Sequence, residues 1–111
     1  MLEDRRRDRH KFIKHVLCYK CDQVPEKHVK VPFLIEIHDI SYGGLGIVTD
    51  YRMYKDMVLY FRLDIDDLRR EFAVQVKWCK YEEGRFSSGV EFQDVVKDDI
   101  IFLHRIVHPL E

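Results

Sequence analysis

Two short stretches carry side chains whose types and spacing could do chemistry. The first is "DISYGG", which places Asp39, Ser41 and Gly44 within six residues. A carboxylate accepts paired N–H donors and a hydroxyl can donate to a phosphate oxygen. Gly43, Gly44 and the nearby Gly46 admit positive φ and the close approach of a ligand to the backbone. Asp39 and Ser41 are two apart, so on a strand they would share a face. The same residues also make an ordinary turn, in which Asp and Ser cap their own backbone, and the stretch alone favours that reading. The second is "RRRDR", with Arg5 and Arg9 four apart and Arg6 and Arg7 between them. Guanidinium groups pair bidentately with phosphate, bond the O6 and N7 edge of guanine and stack on base planes. An isolated arginine cluster near a chain end is more often a solvated charge run.

The elements that must position these groups are legible from periodicity. At 111 residues the chain has room for one domain with a real core, and 46% apolar content excludes wholesale disorder. "HVKVPFLIEIHDIS" alternates Val29, Val31, Phe33, Ile35 and Ile37 with polar or outward positions, which predicts a strand with one buried face. Pro32 has no N–H for a ladder, so it belongs at an edge or bulge. A short strand is expected near Val16 to Lys20. Further strands are expected over "LGIVTD", "MVLYFRLDI", "EFAVQVKWCKYE" and "FSSGVEFQDV", separated by a loop "YRMYKD" and by turns at "DDLRR" and "EGR". Phe72, Val74, Val76 and Trp78 fall in one phase, as do Phe86, Val90 and Phe92. At the tail the period changes. Asp98 can cap a helix through "DIIFLHRIVH", with Ile100, Leu103 and Val107 on one stripe and Pro109 ending it. The expected fold class is therefore all-β: six strands in an antiparallel barrel, with one C-terminal α-helix closing an end. The expected layout is one domain over 1–111, with a flexible arginine-rich arm at 1–11, the barrel at 12–94 and the helix at 97–108.

Charge and motif content narrow the function classes. The formal net charge of −1 gives no long-range field for nucleic acid, although Arg5, Arg6, Arg7, Arg9, Lys11 and Lys14 form a local basic run. No DNA or RNA partner is expected. No apolar run is long enough to span a bilayer, so no membrane insertion is expected. The opening residues also lack the apolar core of a secretory leader. An odd number of cysteines fits a reducing cytoplasm. Cys18 and Cys21 in "CYKC" have metal-type spacing but no second pair, so chance spacing is favoured over zinc and no metal is expected. His104 and His108 are four apart on the tail helix with no third ligand. "DIDD" lacks the spacing and terminal Glu of a calcium loop. No nucleophile–base order or phosphate loop can be read, so no catalytic residue, no enzyme activity and no cofactor are expected.

Together the two stretches resemble the signatures of PilZ domains, Arg-x-x-x-Arg and Asp/Asn-x-Ser-x-x-Gly. "VKWCKYEEGRFSSGVEFQDV" looks like the family's last hairpin, ending in Gly89 to Phe92, and "DDIIFLHRIVH" looks like its C-terminal helix. The resemblance spans nearly the whole chain. It implies a six-stranded barrel that binds the bacterial second messenger cyclic di-GMP and signals to a protein partner in the cytoplasm. Carried over by motif position, Arg5 and Arg9 are the clamps, Asp39 accepts guanine N–H donors, Ser41 bonds the nucleotide and Gly44 lets the backbone come close. Arg6 and Arg7, outside the strict pattern, and Trp78 are further candidates, although the phase of Trp78 suits core packing equally well. Lys11, past the pattern, is expected to matter little. The alternative within the family is an adaptor that binds protein and no nucleotide; this chain keeps both motifs, which argues against it.

Overall fold

The structure, a computed structural model, describes residues 10–24 and 30–107. Arg5, Arg6, Arg7, Arg9 and Pro109 lie outside the described residues, as do Val29 and His108. Six strands follow in order: β1 His10–Asp22, β2 Phe33–Ile40, β3 Gly44–Thr49, β4 Val58–Ile65, β5 Leu68–Glu82 and β6 Arg85–Gln93. They form the expected closed antiparallel barrel, with strand order β1-β2-β3-β6-β5-β4. A helix, α1 at Lys97–Val107, completes the chain. None of the described helices is long and apolar enough to cross a membrane.

Alternation drives the barrel. Phe33, Ile35 and Ile37 on β2, Leu59, Phe61 and Leu63 on β4, and Phe72, Val74 and Val76 on β5 all point inward and are buried. Each such side chain contributes roughly 1.5–3 kcal/mol of burial. β2 starts later than the sequence suggests, because Pro32 cannot join a ladder. Val31, expected in the core, is 44% exposed and joined to Pro32 by a cis peptide bond. β1 is far longer than the segment read from Val16 to Lys20. β5 begins at Leu68, inside the "DDLRR" stretch where a turn is expected; the tight bend is confined to Asp66 and Asp67, with Asp66 at φ 54°. The loop before β4 contributes more than a connection, since Met53 and Met57 are buried in the core.

The helix packs on the barrel through Leu103 and Val107, as periodicity predicts, but with the buried face rotated toward Phe102 and Ile106 and away from Ile100. Phe102, Leu103, Ile106 and Val107 are buried, whereas Ile100 is half-exposed. Phe102 fixes this rotation by packing on Phe72, with ring centroids 5.9 Å apart, and Phe72 in turn packs on Phe92 at 5.1 Å. The capping residue also differs. Asp99, not Asp98, accepts a hydrogen bond from the Val96 N–H at 3.2 Å, the reciprocal half of a capping box. Asp98 and Asp99 then pair with Arg70 of β5 at 3.7 and 3.2 Å.

Ser88 on β6 is buried, and its hydroxyl has no hydrogen-bond partner among the described residues. A desolvated hydroxyl without a partner costs roughly 1–3 kcal/mol. Ser88→Ala is therefore expected to raise unfolding stability by about 1 kcal/mol, measurable by urea titration.

Candidate ligand-binding site

Strict alternation would turn Asp39 inward, in phase with Ile35 and Ile37. The structure turns it outward. Between β2 and β3 the register shifts after Ile37↔Ile47 to Asp39↔Gly46, leaving His38 as an extra residue. Such a β-bulge puts two successive side chains on one face. His38 and Asp39 both face out, and Ile40 returns to the core.

The same device acts on β5. Val76↔Val90 is followed by Trp78↔Gly89, with Lys77 as the extra residue. Trp78 therefore leaves the phase of Phe72, Val74 and Val76 and is 48% exposed on the outer wall. Core packing, the equal alternative read from its phase, does not occur.

The two bulges bring Asp39 and Trp78 together across the sheet. Gly46 on β3 pairs with Asp39 on one side and with Gly89 of β6 on the other, and Gly89 pairs with Trp78. A Cβ on Gly46 would stand 2.5 Å from Asp39 Oδ2, so the carboxylate lies across that glycine. A Cβ on Gly89 would run into the indole ring of Trp78, so the ring lies across that one. Neighbouring strands are about 4.8 Å apart. A carboxylate and an indole thus converge over two adjacent side-chain-free positions.

The turn carrying Ser41 borders this platform. β2 ends at Ile40, so Ser41 sits in the bend and not on the strand face with Asp39. Its N–H donates to the Gly44 carbonyl at 2.9 Å, and its hydroxyl accepts from the Gly43 and Gly44 N–H groups, each at 3.3 Å. The capping that marks an ordinary turn is therefore present. The hydroxyl's own proton points to Gly44 O at 3.4 Å, a long bond that a charged oxygen could displace. Gly43 ties the turn to β6 by accepting from the Phe92 N–H at 3.0 Å. None of Gly43, Gly44 or Gly46 has a left-handed φ. Gly44 is a glycine for another reason: it is buried against the backbone of Val90 and Glu91, where a side chain has no room.

A polar network braces the bulge from above. The Glu36 carboxylate accepts from His38 Nε2 at 2.7 Å and His15 Nε2 at 3.1 Å. Arg85 NH1 donates to both its oxygens at 3.2 and 3.3 Å, while Arg85 Nε donates to Asp50 at 2.9 Å. The His38 bond, then the His15 and Arg85 bonds, pull the Glu36 carboxyl down from 4.5 to about 2. A carboxyl lowered on folding adds stability above its unfolded value, and that stability is lost as pH falls through the folded value. Glu36→Gln is therefore expected to be less stable than wild type at neutral pH, with the gap closing between about pH 4.5 and 2. Urea melts across that window measure it.

Two neighbours were passed over in the sequence. Lys11 is exposed and directly in register with Asp39, which puts it at the platform's edge. In the sequence Gly89 is simply part of the last expected strand, and only the pairing of β5 with β6 reveals it as the bed of Trp78. Among the described residues no group of three or more His, Cys, Asp or Glu could hold a metal ion.

A small closed barrel thus gathers a carboxylate, an indole and a hydroxyl-bearing turn on its outer wall. The PilZ domain matches the chain over residues 3–108, and the chain belongs to that family. PilZ domains are binding and adaptor domains, generally receptors for cyclic di-GMP. A comparison with curated proteins found no match.

Proposed function

We propose that this chain is a non-enzymatic cyclic di-GMP receptor that acts in the bacterial cytoplasm and signals to a protein partner. The observation that carries the reading is the convergence of Asp39 and Trp78 over the Gly46–Gly89 pair, beside a turn that keeps the family's Asp-x-Ser-x-x-Gly motif. A carboxylate at Asp39 accepts the paired N–H donors of a guanine edge. The exposed indole offers a face for purine stacking. Ser41 donates to a nucleotide oxygen. Arg5 and Arg9 close over the phosphates and guanines, with Arg6, Arg7 and Lys11 adding positive charge. Ordering chain on a ligand costs roughly 1–2 kcal/mol per residue, so several charge-assisted bonds must offset it. The repositioned arginines then present a new surface to the partner.

Filter binding with cyclic di-GMP, GTP and a single-stranded oligonucleotide tests the reading. Retention of cyclic di-GMP alone is expected. Retention of none favours the adaptor class, and preferential retention of the oligonucleotide refutes a receptor for the dinucleotide.

A further inference from the structure

β1 carries a further bulge, far along the strand from the end that faces Asp39. Its pairing with β4 passes from Cys18↔Phe61 to Lys20↔Tyr60, leaving Tyr19 as an extra residue. Residues three apart on a regular strand face opposite ways. Here Cys18 points in, Tyr19 and Lys20 point out, and Cys21 turns back toward the core. The two thiols meet, with their sulfurs 3.6 Å apart. Cys18 is buried while Cys21 keeps an opening to solvent.

We propose that Cys18 and Cys21 form a two-thiolate site for a thiophilic d10 divalent cation of the zinc and cadmium class. Zinc–thiolate bonds near 2.3 Å at a tetrahedral angle set two sulfurs about 3.8 Å apart, so this pair needs almost no movement to chelate. Thiolates select soft cations over magnesium or calcium. The remaining coordination positions face the open side at Cys21 and are filled by solvent. Lys20, between the two cysteines, is exposed, with its Nζ over the Tyr60 ring, 4.9 Å from the centroid. On binding, each S–H bond breaks, each sulfur forms a bond to the metal and both protons leave to solvent; the metal stays divalent.

The position gives such a cation a structural effect. Cys18 pairs both with Phe33 of β2 and with Phe61 of β4, so it stands where β1 hands over from one ladder to the other and closes the barrel. A bound ion pins the bulge at that seam.

Cadmium titration of the phosphine-reduced protein, read by the thiolate-to-metal ultraviolet band, tests the site. Wild type and Cys79→Ser are expected to bind one cadmium per chain with release of a proton from each thiol, and to melt at a higher temperature when loaded. Cys21→Ser, altered at the half-exposed position so that the barrel still folds, is expected to lose at least ten-fold in affinity and all of the thermal gain. The proposal is overturned by a wild type without the band, by a Cys21→Ser variant that binds equally well, or by equal loss in Cys79→Ser.

Discussion

Arg5→Ala and Arg9→Ala are each expected to weaken cyclic di-GMP binding by about a hundred-fold. A guanidinium that grips phosphate or the guanine O6 and N7 edge makes two parallel charge-assisted bonds, each worth roughly 1.5–3 kcal/mol. Losing about 3 kcal/mol corresponds to about a hundred-fold in affinity. Lys20→Ala is the control: its ammonium sits on Tyr60 at the other end of β1 from the platform. It should stay within about two-fold of wild type, since an exposed cation so far from the ligand is screened. Calorimetric titration of the three variants decides between a specific clamp and a diffuse basic patch. Equal losses in all three would mean the patch.

Gly44→Ala is expected to destabilise the barrel by about 3 kcal/mol, lowering the melting temperature by on the order of 15 °C. The added Cβ meets only backbone, the Val90 carbonyl and the Glu91 Cα. No side chain can rotate away, so β3 and β6 must part along the pairs that follow, beginning with Leu45↔Val90. Gly46→Ala offers the contrast. The atoms nearest its Cβ are the Asp39 carboxylate, the end of a side chain and not backbone, so the fold should survive within about 1 kcal/mol. Binding should nevertheless fall, because the carboxylate leaves its bed. Thermal melts and titration on the two variants separate a packing glycine from a platform glycine. If Gly44→Ala melts like wild type, the close β3–β6 approach is not the reason for that glycine.

The fold was legible because most strands obey one rule. Ile35, Ile37, Phe72, Val74 and Val76 follow a period of two without interruption, and burial follows them. The site was only half legible, and the reason is local. Asp39, Trp78 and Cys21 each stand just past an extra residue, His38, Lys77 and Tyr19 respectively. A slip of one residue reverses every inside–outside assignment beyond it, and nothing in the neighbouring side-chain types announces the slip. Extrapolated phase therefore made core packing of Trp78 look as reasonable as exposure. The glycines were visible but not their purpose. Gly46 and Gly89 could be matched only once β3 and β6 were known to be neighbours, a pairing between strands about forty residues apart. Helix existence was readable from its period, but its rotation was set by Phe102 meeting Phe72, a contact no periodicity encodes.

The platform over Gly46 and Gly89 is the claim on which the rest depends. A nitrogen–proton correlation spectrum of the labelled protein, recorded as cyclic di-GMP is added, tests it most directly. The Trp78 indole N–H and the amides of Gly43, Gly46 and Gly89 are expected to shift together and saturate together. An unchanged spectrum would contradict the platform. So would shifts confined to another surface, such as the groove between Leu68, Ile101 and Arg105.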